Sequence, residues 1–213
     1  MVSNTADSCI YFASGCVKPI STIQNYHKSI YDYGLPKEQE VIIWDFYVTH
    51  AIAASASQRG KASDYGLSSL PWDEMKRIAT IDESNVKILL ANSINKTLAR
   101  FDLEIIEGKG VHRHPAAIEV DVPKIVCATP YSIADEDPPK EKVGEAESVL
   151  THIRNAFAHG LTYFFDNGNV LLEDKDQRGT ITARIILKMQ TLLDWITLID
   201  KEQRYYVLHE TEK

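Results

Sequence analysis

Apolar residues recur at helical spacing along several stretches of this 213-residue chain. In residues 39–56, QEVIIWDFYVTHAIAASA, the positions Val41, Trp44, Val48 and Ile52 share one face. In residues 84–105, the stripe Val86, Leu89, Leu90, Ser93, Thr97 and Phe101 points to a second helix. From about Val143 to Gly160, the residues Ala146, Val149, Leu150, Ile153, Ala156 and Phe157 gather on one side of a helical wheel. In residues 182–200, Ile185, Met189, Leu192, Leu193, Ile196 and Ile199 keep i, i+3, i+4 spacing. A further helix begins at SSLPWDEMKRIA, with Ser69 as cap, Pro71 in the first turn and Asp73 and Glu74 just after.

Between these stretches the pattern changes. Residues 1–37 are mixed and polar, punctuated by Gly15, Pro19, Gly34 and Pro36, and read as an N-terminal wrap with a short helix around STIQNYHKSIYDY. Residues 106–142 hold glycines, prolines and short β-branched runs, and read as an inserted loop region with one or two short strands. Within it IADEDPPKEK is an acidic connector. After Gly160, the run LTYFFDNGNVLLEDKD places Asn167 and Gly168 between two β-rich segments, which predicts a hairpin. These elements predict one mainly α domain over residues 1–213. It is expected to be an antiparallel helical bundle with a small β-hairpin and irregular N-terminal and loop insertions.

Composition narrows the class. Hydrophobic residues make up 44% and charged residues 25%, as in a soluble globular domain. No apolar run approaches the ~18 residues of a membrane span, and the first residues lack the pattern of a secretory signal. Cys9, Cys16 and Cys127 show no C-x-x-C spacing, so they are expected as free thiols of a cytoplasmic protein, not as disulfides or zinc ligands. The net charge is −7. An extended nucleic-acid groove carries a basic excess, so any phosphate chemistry here must rest on a few local cations, a partner's surface or a dimer seam.

The stretch HIRNAFAHG, residues 152–160, concentrates such groups at a helix end. His152, Asn155 and His159 form a polar stripe beside the core face, and Arg154 lies on the other flank. Arg154 and His159 are about 140° apart on a straight helix, so a site using both needs a frayed last turn or a second copy of the helix. Arginine forks onto phosphate oxygens, histidine takes and returns a proton near neutrality, and Asn155 can orient either group. Together they suit attack of a 2′-hydroxyl on an RNA phosphodiester without a metal. The same residues also fit a plain helix terminus, where basic side chains complement the dipole and glycine ends the helix.

The segment Arg154-Asn155-Ala156-Phe157-Ala158-His159 resembles the R-x4-H signature of the HEPN superfamily, in its R-N-x-x-x-H form. Gly160, the hairpin and a closing amphipathic helix are also similar to bacterial plasmid- and defence-associated members. The resemblance follows element order over roughly residues 39–200, with residue-level specificity in 152–160. It implies a helical bundle that dimerises through its motif helices, and a metal-independent endoribonuclease of the toxin or phage-defence kind, with no cofactor. Arg154 and His159 would be catalytic and Asn155 supporting, with RNA as substrate. The alternative is an inert module that binds a nucleotide or a protein partner, such as an antitoxin or a nucleotidyltransferase.

His152 shares the polar stripe and is a candidate for lining the substrate cleft. Tyr163 either stacks a base or packs the hairpin. His112, Arg113 and His114 form a basic loop lacking a third metal ligand at suitable spacing. His50 is expected in the core or at its rim. The acids of DEDP are read as a solvated loop.

Overall fold

The computed structural model describes residues 10–12, 15–17, 26–27, 29–53, 60–89, 94, 104–105, 115–117, 120–128 and 144–203. Two short antiparallel pairs stand apart from the main sheet: β1 (Ile10–Phe12) with β2 (Gly15–Val17), and β5 (Glu104–Ile105) with β6 (Pro115–Ala117). The main sheet has six strands. They are β3 (Tyr26–His27), β4 (Val86–Leu89), β7 (Lys124–Ala128), β8 (Thr162–Phe165), β9 (Asn169–Lys175) and β10 (Ile181–Lys188), in the spatial order β3-β8-β9-β10-β7-β4. All neighbours are antiparallel except β4 and β7, which run parallel. Its helices are α1 (Ile30–Tyr33), α2 (Lys37–Trp44), α3 (Trp72–Ala79), α4 (Glu145–Ala158) and α5 (Met189–Ile199). A π-helical turn, Asp45–Thr49, extends α2.

This architecture overturns the expected mainly α bundle: a six-stranded mixed sheet organises the core. Two segments account for the difference. Val86–Leu89 is a strand where a helix was expected, and residues 90–93 and 95–103 of that stretch lie outside the described residues. The expected helix over 182–200 divides: Ile181–Lys188 is a strand, and only Met189–Ile199 is helical. Residues Ala183 to Leu187 are all buried. A strand covered on both faces loses its two-residue alternation and becomes a continuous apolar run, which helical spacing fits by chance.

Each face of the sheet carries its own core. One face presents Ile125, Cys127, Phe164, Leu172, Ile185 and Leu187, and packs against the helices. The other presents Val126, Phe165, Leu171 and Ile186, joined by Ile94 and Val120. α4 crosses the first face over β9 and also touches β7 and β10. Its expected core side chains Ala146, Val149, Leu150, Ile153, Ala156 and Phe157 are all buried. Burial of a large aliphatic or aromatic side chain contributes about 1.5–3 kcal/mol, so this face holds α4 firmly.

The other helices lock α4 from behind. Tyr47 of the π turn stacks on Phe157 at 6.0 Å between ring centroids and donates its hydroxyl to the Leu192 carbonyl at 2.9 Å. Trp195 Nε1 donates to the Met75 carbonyl at 2.9 Å, pinning α5 to α3. The expected stripe of the α2 region holds only in its second half: Ile52 is buried and Val48 packs against the core, whereas Val41 and Trp44 are exposed and Ile43, Phe46 and Tyr47 are buried. α3 begins at Trp72 after Pro71, as Pro71 predicts, but no side chain caps it, so Ser69 does not serve as cap. Among the described residues, no helix is long and apolar enough to cross a membrane.

Candidate active site

The last turn of α4 ends in a Schellman arrangement. The Leu161 amide donates to the Ala156 carbonyl at 2.9 Å, and the Gly160 amide to the Phe157 carbonyl at 3.1 Å. Gly160 sits at φ +64°, the left-handed region that side chains disfavour. His159 is the C-cap and donates its amide to Asn155. The chain then enters β8 directly. β8 and β9 form the expected hairpin, with Gly168 in the turn at φ +83°.

This termination leaves His159 exposed, with Arg154 and Asn155 half-buried on the preceding turn. No bond joins Arg154 to His159 within the chain; Arg154 Nη1 instead donates to Asn155 Oδ1 at 3.1 Å.

His152 stands elsewhere than on an open stripe. It is only 4% exposed, beneath α4 against the sheet. Its Nδ1 lies 2.7 Å from Asp174 Oδ2, and its Nε2 lies 2.6 Å from the Ala128 carbonyl oxygen. A carboxylate and a carbonyl both accept, so a ring with protons on both nitrogens satisfies both. Asp174 Oδ2 also accepts from Asn155 Nδ2 at 2.9 Å, and its Oδ1 from the Lys175 amide at 2.8 Å. Burial alone would raise the Asp174 carboxyl. The bonds from His152 and Asn155, the His152 charge and the Lys175 amide outweigh it and hold the group below the usual carboxylate range.

Tyr163 projects from the opposite face of the sheet. It packs against that face's apolar cluster, with its ring centroid 5.8 Å from that of Tyr26. Burial, helped by Glu173 and Tyr26 against the opposing Arg184, raises its hydroxyl above the usual tyrosine value. Tyr163 therefore does not share a surface with His152 and Asn155.

Two buried acids on β9 escaped sequence reasoning. Asp174 faces α4. Its neighbour Glu173 faces the other way and pairs with Arg184, its cross-strand partner, at 3.0 Å, and with Lys175 at 2.9 Å. The sequence signal was the adjacent pair Glu173-Asp174 inside an apolar hairpin strand, since alternation sends adjacent acids to opposite faces.

Cys127 is a free, buried thiol, and burial, with lesser help from Glu145 and Asp174, pushes its pKa far above the ordinary value. Cys9 lies outside the described residues, as do His112, Arg113, His114 and the DEDP acids. His50 is exposed at the end of the π turn. Among the described residues, no group of three or more His, Cys, Asp or Glu is arranged to hold a metal ion. No family model, curated protein or solved structure matches this chain.

Proposed function

We propose that the end of α4 is the active site of a metal-independent endoribonuclease, assembled from two copies of the chain. The observation that supports this most is the exposed His159 at a helix C-terminus, one turn beyond an arginine and an asparagine that are tied to each other. The R-x4-H resemblance adds to it at the level of these residues. The sheet departs from the bundle of the HEPN superfamily, so the reading rests on the motif and not on the fold.

In this mechanism one His159 takes the proton of a 2′-hydroxyl. The 2′-oxygen attacks the adjacent phosphorus, and the bond from phosphorus to the 5′-oxygen breaks. The leaving 5′-oxygen takes the proton back from the same His159, by then an imidazolium, and a 2′,3′-cyclic phosphate remains. Arg154 binds the phosphate oxygens where negative charge develops. Because Arg154 and His159 are about 140° apart on α4, the arginine of one copy serves the histidine of the other. Ala158 and His159 at the end of α4 are exposed and Arg154 and Asn155 are half-buried, so a second copy can meet this end of the helix.

Incubation of the pure protein with RNA in EDTA tests the reading. The wild-type protein is expected to cleave. Arg154→Lys is expected to cleave poorly, because an ammonium cannot fork onto two oxygens. Intact RNA after incubation with the folded wild-type protein would contradict the proposal. Sedimentation at micromolar concentration should show a dimer, and an active monomer would remove the two-copy site. The net charge of −7 favours a second reading, in which the same surface binds a nucleotide or a protein partner, such as an antitoxin or a nucleotidyltransferase, without cleaving RNA. Nucleotide binding with intact RNA would select it.

A further inference from the structure

We propose that Asp174 is a positioning residue for Arg154, acting through Asn155; its catalytic meaning rests on the ribonuclease reading above. The chain of bonds has a defined polarity. Asp174 Oδ2 accepts from His152 Nδ1 on one side and from Asn155 Nδ2 on the other. A carboxylate only accepts, so Asn155 must turn its NH2 toward Asp174. That leaves the Asn155 carbonyl oxygen facing Arg154, where it accepts from Nη1 at 3.1 Å. The buried strand thus sets the orientation of an amide, and the amide restrains the guanidinium at the helix surface. His152 does not touch the surface; it anchors Asp174 and is itself anchored on the Ala128 carbonyl.

The isosteric change D174N reverses this polarity while keeping His152 bonded. The Lys175 amide donates to Oδ1, so oxygen stays at that position and the new NH2 replaces Oδ2. This NH2 donates to a neutral His152, whose Nε2–H still reaches Ala128. It also confronts the Asn155 NH2, donor against donor. Asn155 must then turn over and present its own NH2 to Arg154, which loses its acceptor. The double change D174N/N155D restores the polarity, because a carboxylate at 155 accepts from both sides.

Two readouts separate this proposal from the function it serves. The first is the rate at which phenylglyoxal modifies Arg154, followed by peptide mass spectrometry and referred to the exposed Arg178. The second is kcat and KM for a short RNA in EDTA. In D174N, modification of Arg154 is expected to rise ~10-fold and kcat to fall ~10-fold at unchanged KM, the scale of one hydrogen bond to a charged group. D174N/N155D should return both toward wild type. N155A, which leaves the His152–Asp174 pair intact, should behave as D174N and serves if D174N does not fold. An Arg154 modification rate in D174N or N155A equal to wild type overturns the proposal, whatever the RNA assay shows. If modification shifts as expected but the wild-type protein leaves RNA intact, Asp174 still positions Arg154 and the ribonuclease reading fails.

Discussion

Glu173 and Asp174 are consecutive residues of β9, and both are buried, yet they belong to different kinds of polar cluster. Glu173 meets Arg184 across the strand pair, and both are 0% exposed; Lys175 closes the rim. Both of these partners of Glu173 lie on the sheet itself. Asp174 takes its side-chain donors, His152 and Asn155, from a helix, and Asn155 leads through Arg154 to the surface. A closed cluster holds the fold. A cluster that opens onto a half-buried arginine, on the helix that ends at an exposed histidine, is the one the proposed ribonuclease site uses. The difference arises from strand alternation, which sends adjacent acids to opposite faces, and from the single helix that crosses one of them.

The closed cluster should be the costlier to break. Arg184→Ala leaves Glu173 without its main cation in a dry interior, and removal of one member of a buried pair costs about 3–5 kcal/mol. Urea denaturation measures it, and a loss below about 1 kcal/mol would mean that the cluster is not closed. Cleavage per folded molecule should stay at the wild-type level, because Arg184 faces away from α4.

The terminus that exposes His159 should come next. Gly160→Ala forces a side chain into the left-handed region at a cost of about 1–2 kcal/mol. A Cβ there meets nothing within 4 Å, so the effect is conformational and not steric. A fall in the denaturation midpoint with the slope unchanged is expected; an unchanged midpoint would show that the helix ends otherwise.

Acid should distinguish the clusters most subtly. The Asp174 carboxyl titrates below its ordinary value in the folded chain. Its contribution is therefore complete above the unfolded carboxylate value of about 3.9 and is lost as pH falls through the lower folded value. Stability measured from pH 7 down to 2 should fall more steeply below pH ~4 in the wild type than in D174N. Parallel curves would mean that Asp174 gains nothing from His152 and Asn155.

Much of α4 was legible in the sequence because its signals are local. Val149, Leu150, Ile153 and Phe157 repeat with the helical period, Gly160 ends the helix, and Asn167-Gly168 turns the hairpin. The sheet was not legible for a physical reason. In Ala183–Leu187 both faces are buried, even at Arg184, so no polar alternation marks the strand. Ile185, Met189 and Leu192 then imitate a helical stripe across the real junction at Lys188. Asp174 was hidden for another reason: its role depends on a helix packing over a strand 19 residues further on than Asn155. His152 looked like a member of an open stripe because a wheel cannot tell a polar residue facing water from one facing a buried carboxylate.

The central claim is that the open cluster ends in a catalytic surface shared by two copies of the chain. Mixing two inactive variants tests it most directly. Arg154→Ala and His159→Ala should each lose ~10²–10⁴-fold in RNA cleavage while remaining folded dimers. After subunit exchange, half of the dimers carry one variant of each kind, and each of these holds one intact Arg154–His159 pair across the axis. The account predicts recovery of about a quarter of wild-type activity on this two-fold arithmetic. Exchanged, folded dimers that stay inactive would contradict it.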